Sequence, residues 1–417
     1  MVYRLFAFAF GVVAASTLPV SGQSPAPTLT LDQCLEIALR DSPRVRAAVE
    51  REHSAQARIN QATALPQPVL SYDSDLQPHP FQFPSAGESY LGLAQTFEYP
   101  GRRSARVAVA RSEADQARND TDMVRLELRF DVTMAFDALL LARERLVYAE
   151  QDLELARDFL EKTELKYTAG DIAEVEVIRA RVEAAQAERA VRAARSLVPL
   201  ARAALNVLLA RPSSAPLEVS GSLAGPSPPT DLSALQQAAL AGRPDVKRME
   251  VELARIDQER RHAALTNVPD LDLGFSSHHI DGETRTWDVT LSATVPLFWW
   301  QAKKGAIAEA EARRRAATHE LQQLRQQVSL DVEQAHLTAL TTQAQIDAFE
   351  RDILGPASRV YEMLLFSFQQ GEIGGIELID ARRTLSQARQ AYADALYEHD
   401  IALAALEKSV GQALGGK

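Results

Sequence analysis

At 417 residues the chain is long enough for two or three ordinary domains, but its composition is not that of a compact mixed fold. Ala, Glu, Arg and Leu dominate, aromatics are only 6% and charged residues 24%, a balance that favours long helices. The net charge of −11 excludes the dense basic face that phosphate binding needs, so no nucleic-acid partner is expected.

The chain opens with Arg4 and the apolar run Leu5 to Ala15, too short to cross a bilayer as a mature helix. Small residues at Ser21-Gly22 offer a cleavage site, so residues 1–22 read as a signal peptide and the mature chain begins near Gln23. Cys34 is the sole cysteine, which rules out an internal disulfide. Leu31-Asp32-Gln33 before it differs from the small apolar lead-in of a lipid-attachment cysteine. Its setting in LTLDQCLEIALRDSP predicts a buried helix position instead.

The next feature is an internal repeat. LTLDQCLEIALRDSPRVRAAVE from Leu29 has a counterpart in TDLSALQQAALAGRPDVKRMEVE from Thr230, and Pro43 and Pro244 lie 201 residues apart. Gly170 and Gly371 share that offset. The order of elements predicts a first structural repeat over 23–210 and a second over 231–417. The Pro-, Ser- and Gly-rich stretch 211–230 reads as the linker between them.

Each half carries two stretches of period-two alternation, predicting strands at about 69–77 and 90–98, then 271–279 and 286–296. In the last of these Trp287, Val289, Leu291, Ala293 and Val295 share one face, opposite Asp288, Thr290, Ser292 and Thr294. Such a sheet either packs on helices in a soluble protein or stands in a membrane with lipid on one side and water on the other. Aromatics at the strand ends, Phe97 and Tyr99, then Phe298, Trp299 and Trp300, sit where an interfacial girdle would lie. The basic pairs Arg102-Arg103 and Lys303-Lys304 follow, placed for lipid head groups. Four strands cannot close a barrel, and open edges are untenable in lipid, so three chains sharing twelve strands is the economical expectation.

From Gly101 to Gly170 there is no proline, and a helix of that length spans roughly 100 Å. Leu139, Leu146, Leu153 and Leu160 recur every seven residues, with Ala142, Ala149 and Ala156 between them, predicting a coiled-coil seam with close helix approach. Ala169-Gly170-Asp171 then interrupts the pattern, and the second half repeats the break at Gln370-Gly371-Glu372. The expected fold is therefore mainly α with a small β part and an internal two-fold repeat.

These residues carry a resemblance. LTLDQCLEIALRDSP, the strand exit QTFEYPGRRSARVAVA and the two aromatic–x–x–Gly–acid tips, above all SFQQGEIGGIELIDARRTLSQARQAYADALYEH, resemble the TolC family of outer-membrane efflux proteins over essentially the entire mature chain. TFEYPGRR is more similar to the CzcC-like branch, which serves heavy-metal exporters. The resemblance implies a homotrimer whose coiled-coil helices form a periplasmic α-barrel and whose strands form a twelve-stranded β-barrel in outer-membrane lipid. It further implies a periplasmic adaptor (membrane fusion) protein and an inner-membrane pump of the resistance-nodulation-division (RND) type as partners. Adaptor docking would fall on the tips, Gly170, Asp171, Gly371 and Glu372. A ring of acids just beyond the second tip constricts family members, and by position it matches Glu377 and Asp380, with Glu176 and Arg179 in the first copy.

Two other readings stay open on the sequence: the exit duct of a type I protein-secretion system, and a soluble periplasmic coiled-coil scaffold or adaptor. The row from Trp287 to Val295 discriminates, because a scaffold would bury it against its own helices. No phosphate loop, nucleophile triad or zinc motif is present, so neither an enzyme nor a cofactor is expected. His278 and His279 are adjacent on a strand and point to opposite faces, so they are read as polar strand-end residues, not as a metal site.

Overall fold

The computed structural model describes residues 28–75, 87–223, 225–265, 268–280, 283, 285–293 and 299–414. The expected signal peptide, Val295 and Phe298 lie outside the described residues, as do the side chains of Trp299 and Trp300.

A short strand, β1 (Thr28–Leu29), leads into α1 (Leu31–Asp41) and α2 (Pro43–Thr63). Thr30 starts α1 with a capping box: its hydroxyl accepts from Gln33 N–H while the Gln33 side chain accepts from Thr30 N–H. Ser42 ends α1 and caps α2, with Pro43 at the first helical position, where its missing N–H costs nothing. Cys34 is fully buried in α1, and burial pushes its thiol up to about 11 against the opposing charge of Arg211. Strands β2 (Val69–Asp75) and β3 (Glu88–Phe97) follow, then the 68-residue helix α3 (Arg102–Ala169) and its return α4 (Glu174–Leu208).

After β4 (Glu218–Val219), parallel to β1, the order recurs: α5 (Leu232–Gly242), α6 (Pro244–Leu265), β5 (Leu271–Ile280), β6 (Thr286–Ala293) and α7 (Trp299–Ala348). A π-helical turn, Phe349–Ile353, joins α7 to α8 (Leu354–Gln370), and α9 (Gly375–Val410) returns. The π turn has a local cause. Pro356 has no N–H to give the carbonyl of Asp352 and its ring would strike it, so the helix widens first, with Leu354 N–H bonding back to Phe349 O.

The Pro- and Ser-rich segment between the repeats is packed. Leu217, Val219 and Leu223 are buried in one cluster with Leu128, Val132 and Leu139 of α3. Arg143 donates to Val219 O at 2.7 Å, and His336 and His399 hold the carbonyls of Pro229 and Pro226. A second cluster joins α5, α6, α7 and α9 through Leu235, Val246, Val328 and Leu406. Along the arms the seam is made of small residues, with Ala149 and Ala156 of α3 buried and Ala187 and Ala194 of α4 buried opposite. Alanine there lets the backbones approach, so burial comes from length more than from large side chains.

The four long strands form one antiparallel sheet in the order β2-β3-β5-β6, with β3 and β5 joining the halves in the register Phe97↔Leu271 to Glu88↔Ile280. That register puts Leu70, Tyr72, Leu91, Leu93 and Phe97 on the same face as Leu271, Leu273 and Phe275. Trp287, Val289, Leu291 and Ala293 complete it. Among the described residues no helix covers this face: Trp287, Val289 and Leu291 are 60%, 71% and 66% exposed. The discriminating row is therefore not buried against the chain's own helices, which removes the support for a soluble scaffold. β2 and β6 are both unpaired edges within the chain.

One sequence expectation is corrected here. Arg102 does not reach for lipid head groups; its side chain is only 13% exposed and pairs with Asp270 while donating to the carbonyls of Leu265 and Val268. Arg106 does the same for the first repeat, holding Glu98 and the carbonyls of Ala62 and Ala64. The two guanidiniums thus satisfy the orphan carbonyls where α2 and α6 end and pin the strands to the arms. Sequence proximity to aromatics could not distinguish a strut from a head-group contact.

Candidate functional site at the hairpin tips

Both long arms turn back in the same way. Gly170 (φ 84°, ψ 11°) and Gly371 (φ 81°, ψ 14°) take the left-handed conformation that a side chain disfavours. Asp171 N–H bonds to Lys166 O at 2.9 Å, and Glu372 N–H to Ser367 O at 2.9 Å, so each tip closes as a Schellman turn. Gly170, Asp171, Gly371 and Glu372 are all exposed, and the return helices begin at Glu174 and Gly375.

The three expected gate acids are not equivalent. Glu377 and Asp380 lie one turn apart on the exposed face of α9 and line a groove with Ile353, Pro356 and Val360. Their carboxylates have no ion-pair partner among the described residues. Glu176 is separate from them. One of its oxygens pairs with Arg179 at 2.9 Å, and the other is buried 3.0 Å from where a Cβ on Gly375 would stand. It faces the seam between the two hairpins, not the surface shared by Glu377 and Asp380.

That seam is tied by side chains from both hairpins, and the sequence reading missed it. Lys166, in the last turn of α3, caps the end of α8 by donating to Phe368 O at 2.7 Å and lies over the Phe368 ring at 4.8 Å. Phe159 meets Phe368 with ring centres 5.3 Å apart, and a Cβ on Gly375 would be 3.0 Å from the Phe159 ring. Deeper in, Arg382 of α9 donates to Asp152 of α3 at 2.6 Å and to Glu183 of α4 at 2.5 Å. Arg382 and Glu183 are each 5% exposed, and Arg383 also pairs with Glu183. A signal existed: Arg382 interrupts the stripe Leu378–Leu385, and Glu183 interrupts Ala180–Ala187, at core spacing in each helix.

At the other end, Phe97 and Tyr99 of the expected girdle are exposed, and Tyr99 N–H donates to Asp270 at 2.9 Å. On the polar face His278 Nε2 lies 2.6 Å from Glu88 Oε1 and the ring stacks on Tyr90 at 4.1 Å. Finding this trio required the β3–β5 register. Among the described residues no group of three or more His, Cys, Asp or Glu is arranged to hold a metal ion.

The comparisons with known proteins agree with this architecture. The family model described as outer membrane efflux protein matches twice, over residues 34–211 and 235–412. The cobalt-zinc-cadmium resistance protein CzcC of Cupriavidus metallidurans is 26% identical over 415 residues, covering 98% of this chain and 96% of that protein. Among solved structures, the outer membrane protein VceC of Vibrio cholerae superposes with a TM-score of 0.75 at 18% identity, over 92% of this chain and 97% of VceC. The open state of the Neisseria gonorrhoeae MtrE outer membrane channel gives 0.76 at 20% identity, over 92% and 89%. The protein is a non-enzymatic outer-membrane efflux channel with its helical part in the periplasm. The chain belongs to the outer membrane efflux protein family.

Proposed function

We propose that three copies of this chain assemble into the exit duct of a tripartite efflux system, and that Glu377 and Asp380 constrict its periplasmic end. The observation that carries this reading is the bare sheet: one mainly apolar exposed face, two unpaired edges, and arms of roughly 100 Å attached below. Pairing β2 of one copy with β6 of the next closes every edge and gives twelve strands around one pore. The apolar face, with Trp287, Val289, Leu291 and Ala293, then meets lipid, and Phe97 and Tyr99 sit at its periplasmic rim.

At the far end, three copies present six tips. The turns at Gly170-Asp171 and Gly371-Glu372 form a repeated surface for a periplasmic adaptor, through which an inner-membrane RND-type pump supplies the cargo. Likeness to CzcC favours heavy-metal cations as that cargo, and the chain's net charge of −11 is compatible with cation passage. Three Glu377 and three Asp380 carboxylates gathered on an axis repel one another and attract cations, which makes a narrow, charge-selective mouth.

The duct itself consumes nothing and changes no bond; the pump sets direction and specificity. The test is single-channel conductance of the purified protein in a planar bilayer. Glu377→Ala/Asp380→Ala is expected to raise resting conductance and weaken block by divalent cations. Conductance and block both unchanged from wild type would remove the two acids from the constriction.

A further inference from the structure

We propose that the cleft between the two repeats, far from the tips, binds an anionic single-chain amphiphile, with the tail inside and the charged head at the mouth. The cleft encloses about 600 Å³, the size of a small-molecule site. Both halves of one chain wall it: Leu35 of α1 with Leu126 and Phe130 of α3 from the first repeat, and Leu403 and Ala404 of α9 with Leu414 from the second. Leu35, Leu403 and Ala404 are buried, so the floor is apolar. Close packing does not account for a void of this size, because protein interiors hold few gaps larger than a water molecule.

One wall is the segment that links the repeats, and it is fixed in place. Pro226 and Pro229 line the cleft, and their carbonyls are held by His399 and His336. Gly225 N–H donates to the buried Asp400 at 2.8 Å. A Cβ on Gly225 would stand 2.5 Å from Asp400 Oδ1 and from Leu403, so the segment lies flat on α9. The site is formed before a ligand arrives, which keeps the ordering cost of binding low.

The charges in the lining balance in number but not in availability. Its acids are Asp32, Asp122, Asp400 and Glu407, and its bases Arg125, Arg129, Lys247 and Lys408. Asp122 pairs with Arg125 at 2.7 Å, Asp400 holds Gly225 N–H, and Glu407 accepts Leu414 N–H at 3.1 Å. Asp32 sits in the first turn of α1, beside the positive end of that helix. Arg129, Lys247 and Lys408 have no ion-pair partner among the described residues, and the Lys408 ammonium rests 4.7 Å above the Phe130 ring. Three uncommitted cations beside an apolar floor select a ligand with a hydrocarbon body and a negative head. A fatty-acid carboxylate and the phosphate of a single-chain lipid monoester share that chemistry.

The test is photolabelling of the purified protein in phosphatidylcholine nanodiscs, with laurate carrying a terminal diazirine as the probe. Labelled peptides are mapped by mass spectrometry. Saturable label is expected within residues 119–133 and 400–414. Unlabelled laurate or dodecyl phosphate is expected to displace it, and dodecyltrimethylammonium is not. Whichever anion displaces at the lower concentration identifies the head group. Ala404→Phe fills the floor and is expected to abolish this label. Lys247→Glu changes an exposed side chain and leaves the buried walls intact, so it decides the matter even where Ala404→Phe does not fold. It is expected to weaken laurate binding about tenfold, as the loss of a hydrogen bond to a charged group predicts. Label confined to the strands, equal displacement by the cationic amphiphile, or undiminished label in Lys247→Glu would overturn the proposal.

Discussion

Glu183→Leu is expected to lower the stability of the folded chain by about 3–5 kcal/mol, the usual effect of removing one partner from a buried ion pair. Glu183 is 5% exposed and accepts from Arg382 at 2.5 Å while pairing with Arg383 as well. Its loss leaves the guanidinium of Arg382, also 5% exposed, with Asp152 alone and in a site that excludes water. Replacing the pair together, Glu183→Leu with Arg382→Met, is expected to recover a large part of the loss, because two well-packed apolar groups need no desolvation. Denaturant unfolding of the detergent-solubilised protein, followed by its helical signal, measures both. A loss below about 1 kcal/mol for Glu183→Leu would place the pair among solvent-exposed ion pairs and contradict the packed seam.

The second large effect belongs to the other end of the molecule. Val289→Arg is expected to cost about 2–4 kcal/mol, the penalty for a guanidinium near the middle of a lipid-facing strand. Thr290→Arg, one residue on and on the opposite face, is expected to be tolerated, because that face carries Asp272, His278 and Asp288. The readout is the amount of each variant recovered folded in the outer-membrane fraction. Equal losses at both positions would mean that the two faces do not separate lipid from water.

How much of this was legible in the sequence differs between elements, for physical reasons. Period two across Trp287–Ala293 and the heptad from Leu139 to Leu160 are local patterns, set by strand and helix geometry alone. The tip glycines are equally local, because a left-handed residue at a helix end favours glycine over any residue bearing a side chain. Arg102 misled for the converse reason. Its position after Tyr99 suggested head groups, yet its partners, Asp270 and the carbonyls of Leu265 and Val268, come from the other half of the chain. The same holds for the seam at the tips. Asp152, Glu183 and Arg382 are brought together only by the packing of three helices, and each alone reads as one more charge on a long amphipathic arm. Position in the repeat groups Glu176 with Glu377 and Asp380; side-chain direction sets it apart, facing Gly375.

The central proposal is that this chain closes its sheet only with other copies of itself in the outer membrane. The most direct measurement is the native mass of the protein extracted from purified outer membranes in a mild detergent. Three copies of the mature chain are expected, dissociating to monomers on heating in denaturing detergent. A monomer recovered in the soluble periplasmic fraction, with its apolar sheet face nonetheless shielded, would contradict it.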